Sequence, residues 1–114
     1  MAANQKKIRK NKKKSILQAA RVIRSKNSGP FELTLDIMFK NKNYYELFKK
    51  NKIITARKIA SLYQIPVSDV LKIVYFDPSQ AIKVTIRRKI PSGSPGDTDI
   101  YGAQQHVPLF NIRF

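Results

Sequence analysis

Phe31-Glu32-Leu33-Thr34-Leu35-Asp36-Ile37-Met38-Phe39 is the stretch that decides the fold class. Phe31, Leu33, Leu35, Ile37 and Phe39 are apolar at every second position, with Glu32, Thr34, Asp36 and Met38 between them. Successive side chains of an extended chain point to opposite faces, so this period marks a strand with one face against a core. Asp36 falls in the middle of the other face. Carboxylates are disfavoured in strands, so Asp36 requires a solvated face or a hydrogen-bonding or cationic partner.

Outward toward the C-terminus, residues 41–50 set Tyr44, Tyr45, Leu47 and Phe48 among Lys and Asn, which predicts a short helix with its aromatics turned inward. A surface for stacking nucleic-acid bases is the competing reading of the same residues. Thr55 opens a second helix with Ala56, Ile59, Ala60, Leu62 and Tyr63 on its apolar side, ended by Pro66. Ile59 to Ser68 has the outline of the first half of a helix-turn-helix. Val70 to Phe76, however, is a β-branched and aromatic run that favours a strand, so the recognition helix is missing. Asp77-Pro78-Ser79 then makes a turn, and Ala81 to Ile90 alternates again, with Ile82, Val84, Ile86 and Ile90 opposite Lys83, Thr85, Arg87 and Lys89.

Toward the N-terminus, Ser15 caps an expected helix carrying Ile16, Leu17, Ala20 and Ile23, stopped by Ser25-Lys26-Asn27-Ser28-Gly29-Pro30. Leu109, Phe110, Ile112 and Phe114 predict a last strand over Val107 to Phe114. The sum is an α+β domain over residues 15–114, a small mixed or antiparallel sheet covered by two or three helices, with its strand order left open.

The 114-residue length fits one domain. Absence of cysteine excludes disulfides, thiolate catalysis and sulfur-based zinc sites, and it fits a cytoplasmic location. No apolar run approaches the ~20 residues that span a bilayer, and the basic N-terminus lacks the apolar block of a secretory signal. The net charge of +16 divides unevenly. Residues 1–14 hold seven basic residues and no acid, and the rest holds 16 basic against seven acidic residues. Residues 1–14 therefore read as a flexible lysine-rich arm, either simply solvated or able to hold nucleic-acid phosphates.

Chemistry concentrates in the loop Ser92-Gly93-Ser94-Pro95-Gly96-Asp97-Thr98-Asp99-Ile100-Tyr101-Gly102-Ala103-Gln104-Gln105-His106. Histidine is the residue type that ordinarily titrates near neutrality, and His106 is the only one, so His106 with Asp97 and Asp99 forms a candidate acid/base set. Ser92, Tyr101, Gln104 and Gln105 add ligand-binding capacity. The plainer alternative has the aspartates bonding turn amides and His106 steadying the last strand. Asp97-x-Asp99 is weak evidence for a metal, and no metal site is assigned. The serine-glycine run is too short and proline-interrupted for a phosphate-binding P-loop. Arg24, Lys26 and Asn27, at the expected helix-to-strand junction, form a candidate anion clamp, or else cations complementing a helix C-terminus.

The blocks Val22-Ile23-Arg24-Ser25-Lys26-Asn27-Ser28-Gly29-Pro30-Phe31, Asp36-Ile37, Phe76-Asp77-Pro78, Ala81-Ile82-Lys83 and Pro91-Ser92-Gly93 through Asp97 to Leu109 make the chain similar to a small family. It resembles the uncharacterised domain family that accompanies, or is fused to, acyclic terpene utilisation protein AtuA. The resemblance covers residues 16 to 114 and leaves out the lysine-rich arm. It implies an accessory subunit beside a large AtuA-like partner, in breakdown of branched organic acids or their CoA thioesters. It brings no catalytic residue and no cofactor with it. The expected function is a subunit that is non-catalytic alone but part of a lyase, hydratase or isomerase-like complex, with Arg24 to Pro30 and Ser92 to His106 meeting at one ligand or partner surface. A basic nucleic-acid-binding module and a purely structural scaffold are the alternatives.

Overall fold

The computed structural model describes residues 14–88 and 106–114. One helical turn, α1 (Ile16–Ala19), leads directly into β1 (Ala20–Gly29). A two-residue turn at Pro30 and Phe31 joins it to β2 (Glu32–Phe39). Two helices follow, α2 (Lys42–Lys50) and α3 (Ala56–Tyr63), then β3 (Val70–Phe76) and β4 (Ala81–Arg87), joined through the 3-10 turn Asp77–Ser79. Further 3-10 turns lie before β3, at Val67–Asp69, and near the C-terminal end, at Val107–Asn111. The strands form one antiparallel sheet in the order β1-β2-β4-β3, so two hairpins sit side by side with β2 and β4 at the centre. This is the expected α+β class, with the sheet antiparallel throughout.

Local chemistry sets the helix starts. Ser15 Oγ accepts from the Leu17 amide, Asn41 Oδ1 from the Tyr44 amide and Thr55 Oγ1 from the Lys58 amide. Each satisfies one of the amide groups that a first helical turn leaves without a partner. Lys49 and Lys50 close α2, where cations complement the negative end of the helix dipole. α3 ends on Gln64, whose left-handed backbone (φ 54°) lets its amide reach Ala60 and Ser61 carbonyls before Pro66 is reached.

The core lies on one face of the sheet. Leu33, Leu35 and Ile37 of β2 and Ile82, Val84 and Ile86 of β4 pack against Ile16, Tyr45, Phe48, Ile59 and Leu109. Phe39, Phe48 and Phe114 make tilted ring contacts of 4.7 and 4.9 Å between centroids. The opposite face carries the other half of the alternation, including Asp36, Lys83 and the half-exposed Phe76.

Three local expectations are corrected. The helix from Ser15 toward Ile23 stops after Ala19, because residues 20–29 ladder with β2 from Ala20↔Phe39 to Gly29↔Glu32. A single turn gains few intrahelical bonds, whereas a long hairpin satisfies nearly every backbone group and favours β-branched Val22 and Ile23. An irregularity between Ala20 and Val22 shifts the alternation by one, so Ile23 and Ser25 turn toward the core. The junction Arg24 to Pro30 is accordingly strand and hairpin turn, not the end of a helix. The strand expected over Val107 to Phe114 is a 3-10 turn with a single bridge, Ser15↔Arg113, because Pro108 lacks a ladder amide and Leu109 is drawn wholly into the core. Of the aromatics expected inward on α2, Tyr45 and Phe48 are buried, while Leu47 of the same helix is 38% exposed.

Candidate functional site

Arg24, Asp36 and Lys83 are register partners across β1, β2 and β4, so backbone pairing alone puts the three side chains in one row. Asp36 is fully buried. Arg24 Nε donates to its Oδ2 at 3.1 Å, and Lys83 Nζ to its Oδ1 at 3.4 Å. Both carboxylate oxygens are thus engaged by a cation, which resolves the requirement that the sequence placed on Asp36. Both cations remain in part exposed, so they share solvation with water while their aliphatic stems cover the carboxylate. Lys83 also lies 5.9 Å from the ring centre of Phe76.

Lys26 stands on the same face as Arg24, opposite Thr34 and exposed. Asn27 is on the other face: it pairs with core-facing Leu33, and its Oδ1 accepts from Arg88 Nη1 at 2.6 Å. The Arg88 amide donates to the Phe31 carbonyl at 2.7 Å. Asn27 and the β1–β2 turn therefore fix the chain where it leaves β4 toward residues 89–105. The trio Arg24, Lys26 and Asn27 does not gather on one surface, because a strand alternates its side chains. Of the proposed composite surface, the structure brings Asn27 to Arg88, four residues before Ser92.

Ser92, Asp97, Asp99, Tyr101, Gln104 and Gln105 lie outside the described residues, as does the lysine-rich arm up to residue 13. His106 is described, at the entrance to the 3-10 turn. Its carbonyl accepts from the Leu109 amide, and its ring meets Phe110 edge-on at 5.5 Å. Its Nδ1 is buried and has no hydrogen-bond partner among the described residues. Buried polar atoms are ordinarily satisfied, so this nitrogen stands out as a position for a group from elsewhere. Among the described residues no three His, Cys, Asp or Glu side chains converge as a metal-ligand set.

A further polar cluster escaped the sequence. Asp77, read there only as a turn former, accepts from Tyr45 Oη at 2.5 Å and from Lys49 Nζ at 3.1 Å. The Tyr45 bond, then the Lys49 bond, hold the Asp77 carboxyl below its usual range. Burial, then the hydrogen bond to Asp77, push the Tyr45 phenol upward. The bond to Asp77 likewise raises Lys49. Tyr45 and Lys49 are four apart on α2, so both meet one carboxylate, and that spacing was the available signal. The cluster fastens α2 to the β3–β4 turn.

Among the described residues no helix is long and apolar enough to cross a membrane. No curated protein and no solved structure matches the chain. The family model described as Domain of unknown function (DUF4387) matches residues 16–113, from the first turn of α1 through both hairpins to the C-terminal bridge, and the chain belongs to that family.

Proposed function

We propose that this chain is a small accessory subunit that completes a site on a larger AtuA-like protein, whose substrate is a branched organic acid or its CoA thioester. The observation that carries the reading is His106. An imidazole nitrogen buried without a partner costs about 1–3 kcal/mol, a cost removed when a substrate or a neighbouring subunit supplies the missing group. His106 lies near the end of the block that runs to Leu109, the longest part of the resemblance to the AtuA-associated family. Asn27 and Arg88 support the same reading, because they fix the end of β4, from which the chain continues toward that block, to the β1–β2 hairpin. In this role His106, Asp97 and Asp99 hold or move a proton on a substrate seated in the partner, while Ser92, Tyr101, Gln104 and Gln105 orient it.

The test is coexpression with the large subunit, followed by turnover measurements on branched acids and their CoA thioesters. A stable complex is expected, with turnover falling in His106→Ala and Asp97→Asn while the complex persists. Arg24→Ala is measured beside a thermal melt, since Arg24 also neutralises Asp36. Full turnover in all three variants removes the catalytic contribution, and failure of the two chains to associate sinks the accessory-subunit reading. Nucleic-acid binding that disappears with residues 1–13 would instead favour the phosphate-binding reading of the arm.

A further inference from the structure

A concave site lies at the corner where α2 ends and α3 begins. It is a cavity of about 610 Å³, within the ~300–1,000 Å³ typical of small-molecule sites. Its lining includes four cations, Lys14, Lys52, Lys58 and Arg113, and no acidic residue. Leu47, Ile53 and Phe114 supply an apolar wall.

The frame that carries these residues is built from four parts of the chain. Lys14 and Phe114 exchange two backbone hydrogen bonds, at 3.1 and 2.9 Å, which holds the first and last described segments together. Phe114 is further fixed by an edge-on contact with Tyr44 and a tilted contact with Phe48. Lys52 and Ile53 follow the end of α2, their backbone amides donating hydrogen bonds to the Lys49 and Phe48 carbonyls. Lys58 sits in the first turn of α3, its amide capped by Thr55.

The charge pattern runs against what local stability favours. Lys58 occupies the third position after the Thr55 cap, where Glu would complete a capping box, and the first turn of α3 has no acidic residue. Among the described residues Lys14, Lys52 and Lys58 form no ion pair. Three lysines gathered beside an apolar wall, with no ion pair among the described residues, suit a ligand that brings a negative charge and an apolar group together. An extended nucleic-acid strand fits less well, because it is held along a track with exposed stacking faces, and Phe114 here is committed to its own aromatic neighbours.

We infer that this corner binds a small amphipathic anion, its carboxylate or phosphate head among Lys14, Lys52 and Lys58 and its apolar body against Leu47, Ile53 and Phe114. The site is independent of the accessory-subunit reading and stands or falls on the isolated chain.

Calorimetric titration of the full chain with octyl phosphate, octanoate and inorganic phosphate tests it, with amide chemical shifts followed in parallel. Octyl phosphate or octanoate is expected to bind at least tenfold more tightly than inorganic phosphate, with shifts centred on residues 47–58 and 113–114. Whichever of the two binds better identifies the head group. Lys58→Glu should weaken that binding tenfold or more while preserving the fold, since Glu suits the position. Leu47→Ala, at a partly exposed residue, should weaken the octyl ligand and leave inorganic phosphate unchanged. Equal binding of octyl phosphate and inorganic phosphate, shifts centred elsewhere, unchanged affinity in Lys58→Glu, or displacement of the octyl ligand by a short RNA at lower concentration would each overturn the assignment.

Discussion

Asp36 and Arg24 face each other across the β1–β2 ladder, with Arg24 Nε 3.1 Å from a carboxylate that has no exposed surface. Lys83 reaches the same carboxylate from β4 at a longer 3.4 Å. The guanidinium has the shorter contact, so it is the more important partner. Arg24→Ala is expected to destabilise the fold by about 1–3 kcal/mol, and Lys83→Ala by less, because a buried carboxylate that loses a partner retains its desolvation cost. Urea unfolding of the two variants, with Asp36→Ala and Arg24→Ala/Asp36→Ala to complete a cycle, checks this. The double variant should be less destabilised than the sum of its parts.

The Tyr45–Asp77–Lys49 cluster gives stability an acid limb. Asp77 has a folded pKa below its unfolded value, so its contribution is present above about pH 4 and is lost as pH falls through the folded value. Asp77→Asn should remove that limb and lower the melting temperature at pH 7, with little difference from the parent at the most acid pH. Melts between pH 2 and pH 7 measure it.

An alkaline limb follows from Tyr45 and Tyr63, both pushed up chiefly by burial. Groups with raised folded values support the fold below about pH 10, and that support is lost as pH climbs toward the folded values. The phenolate absorbance should therefore rise in two stages, the later one coinciding with loss of the far-ultraviolet circular dichroism signal. Tyr45→Phe should reduce the amplitude of the later stage.

Gln64 and Gln80 hold left-handed backbones, at φ 54° and 52°, in the α3 cap and the β3–β4 turn. Side chains other than glycine are disfavoured there, so Gln64→Gly and Gln80→Gly should each stabilise by about 0.5–1 kcal/mol after the entropy cost of glycine. Denaturation midpoints that stay level or fall would contradict this.

Leu109 is fully buried although it comes from a 3-10 turn near the end of the chain. Leu109→Ala should cost about 2–5 kcal/mol, as for a leucine in the centre of a core. Phe110→Ala, at a 36% exposed neighbour, should cost far less. Similar unfolding midpoints for the two would mean that the C-terminal segment does not belong to the core.

Much of this architecture was written in local pattern. The alternation from Leu33 to Phe39 gave β2 its two faces, Ser15 and Thr55 marked helix starts, and the β-branched run Val70 to Phe76 excluded a recognition helix. These features depend on neighbours in sequence, through side-chain period and capping. The candidate surface was less legible. Arg24, Lys26 and Asn27 are adjacent in sequence, and only assignment to a strand reveals that Asn27 faces away from the other two.

By itself, then, the sequence determined an α+β chain with one core-facing strand pattern, two capped helices and an acid at Asp36 that needed solvent or a partner. Tertiary structure decided that residues 20–29 leave helix for hairpin, that Asp36 is answered by Arg24 and Lys83, and that Asp77 joins Tyr45 and Lys49. The reason is physical. Caps and alternation cost and return free energy within a few residues, whereas strand pairing and the desolvation of a carboxylate depend on partners 12 and 47 positions away, which no local pattern specifies.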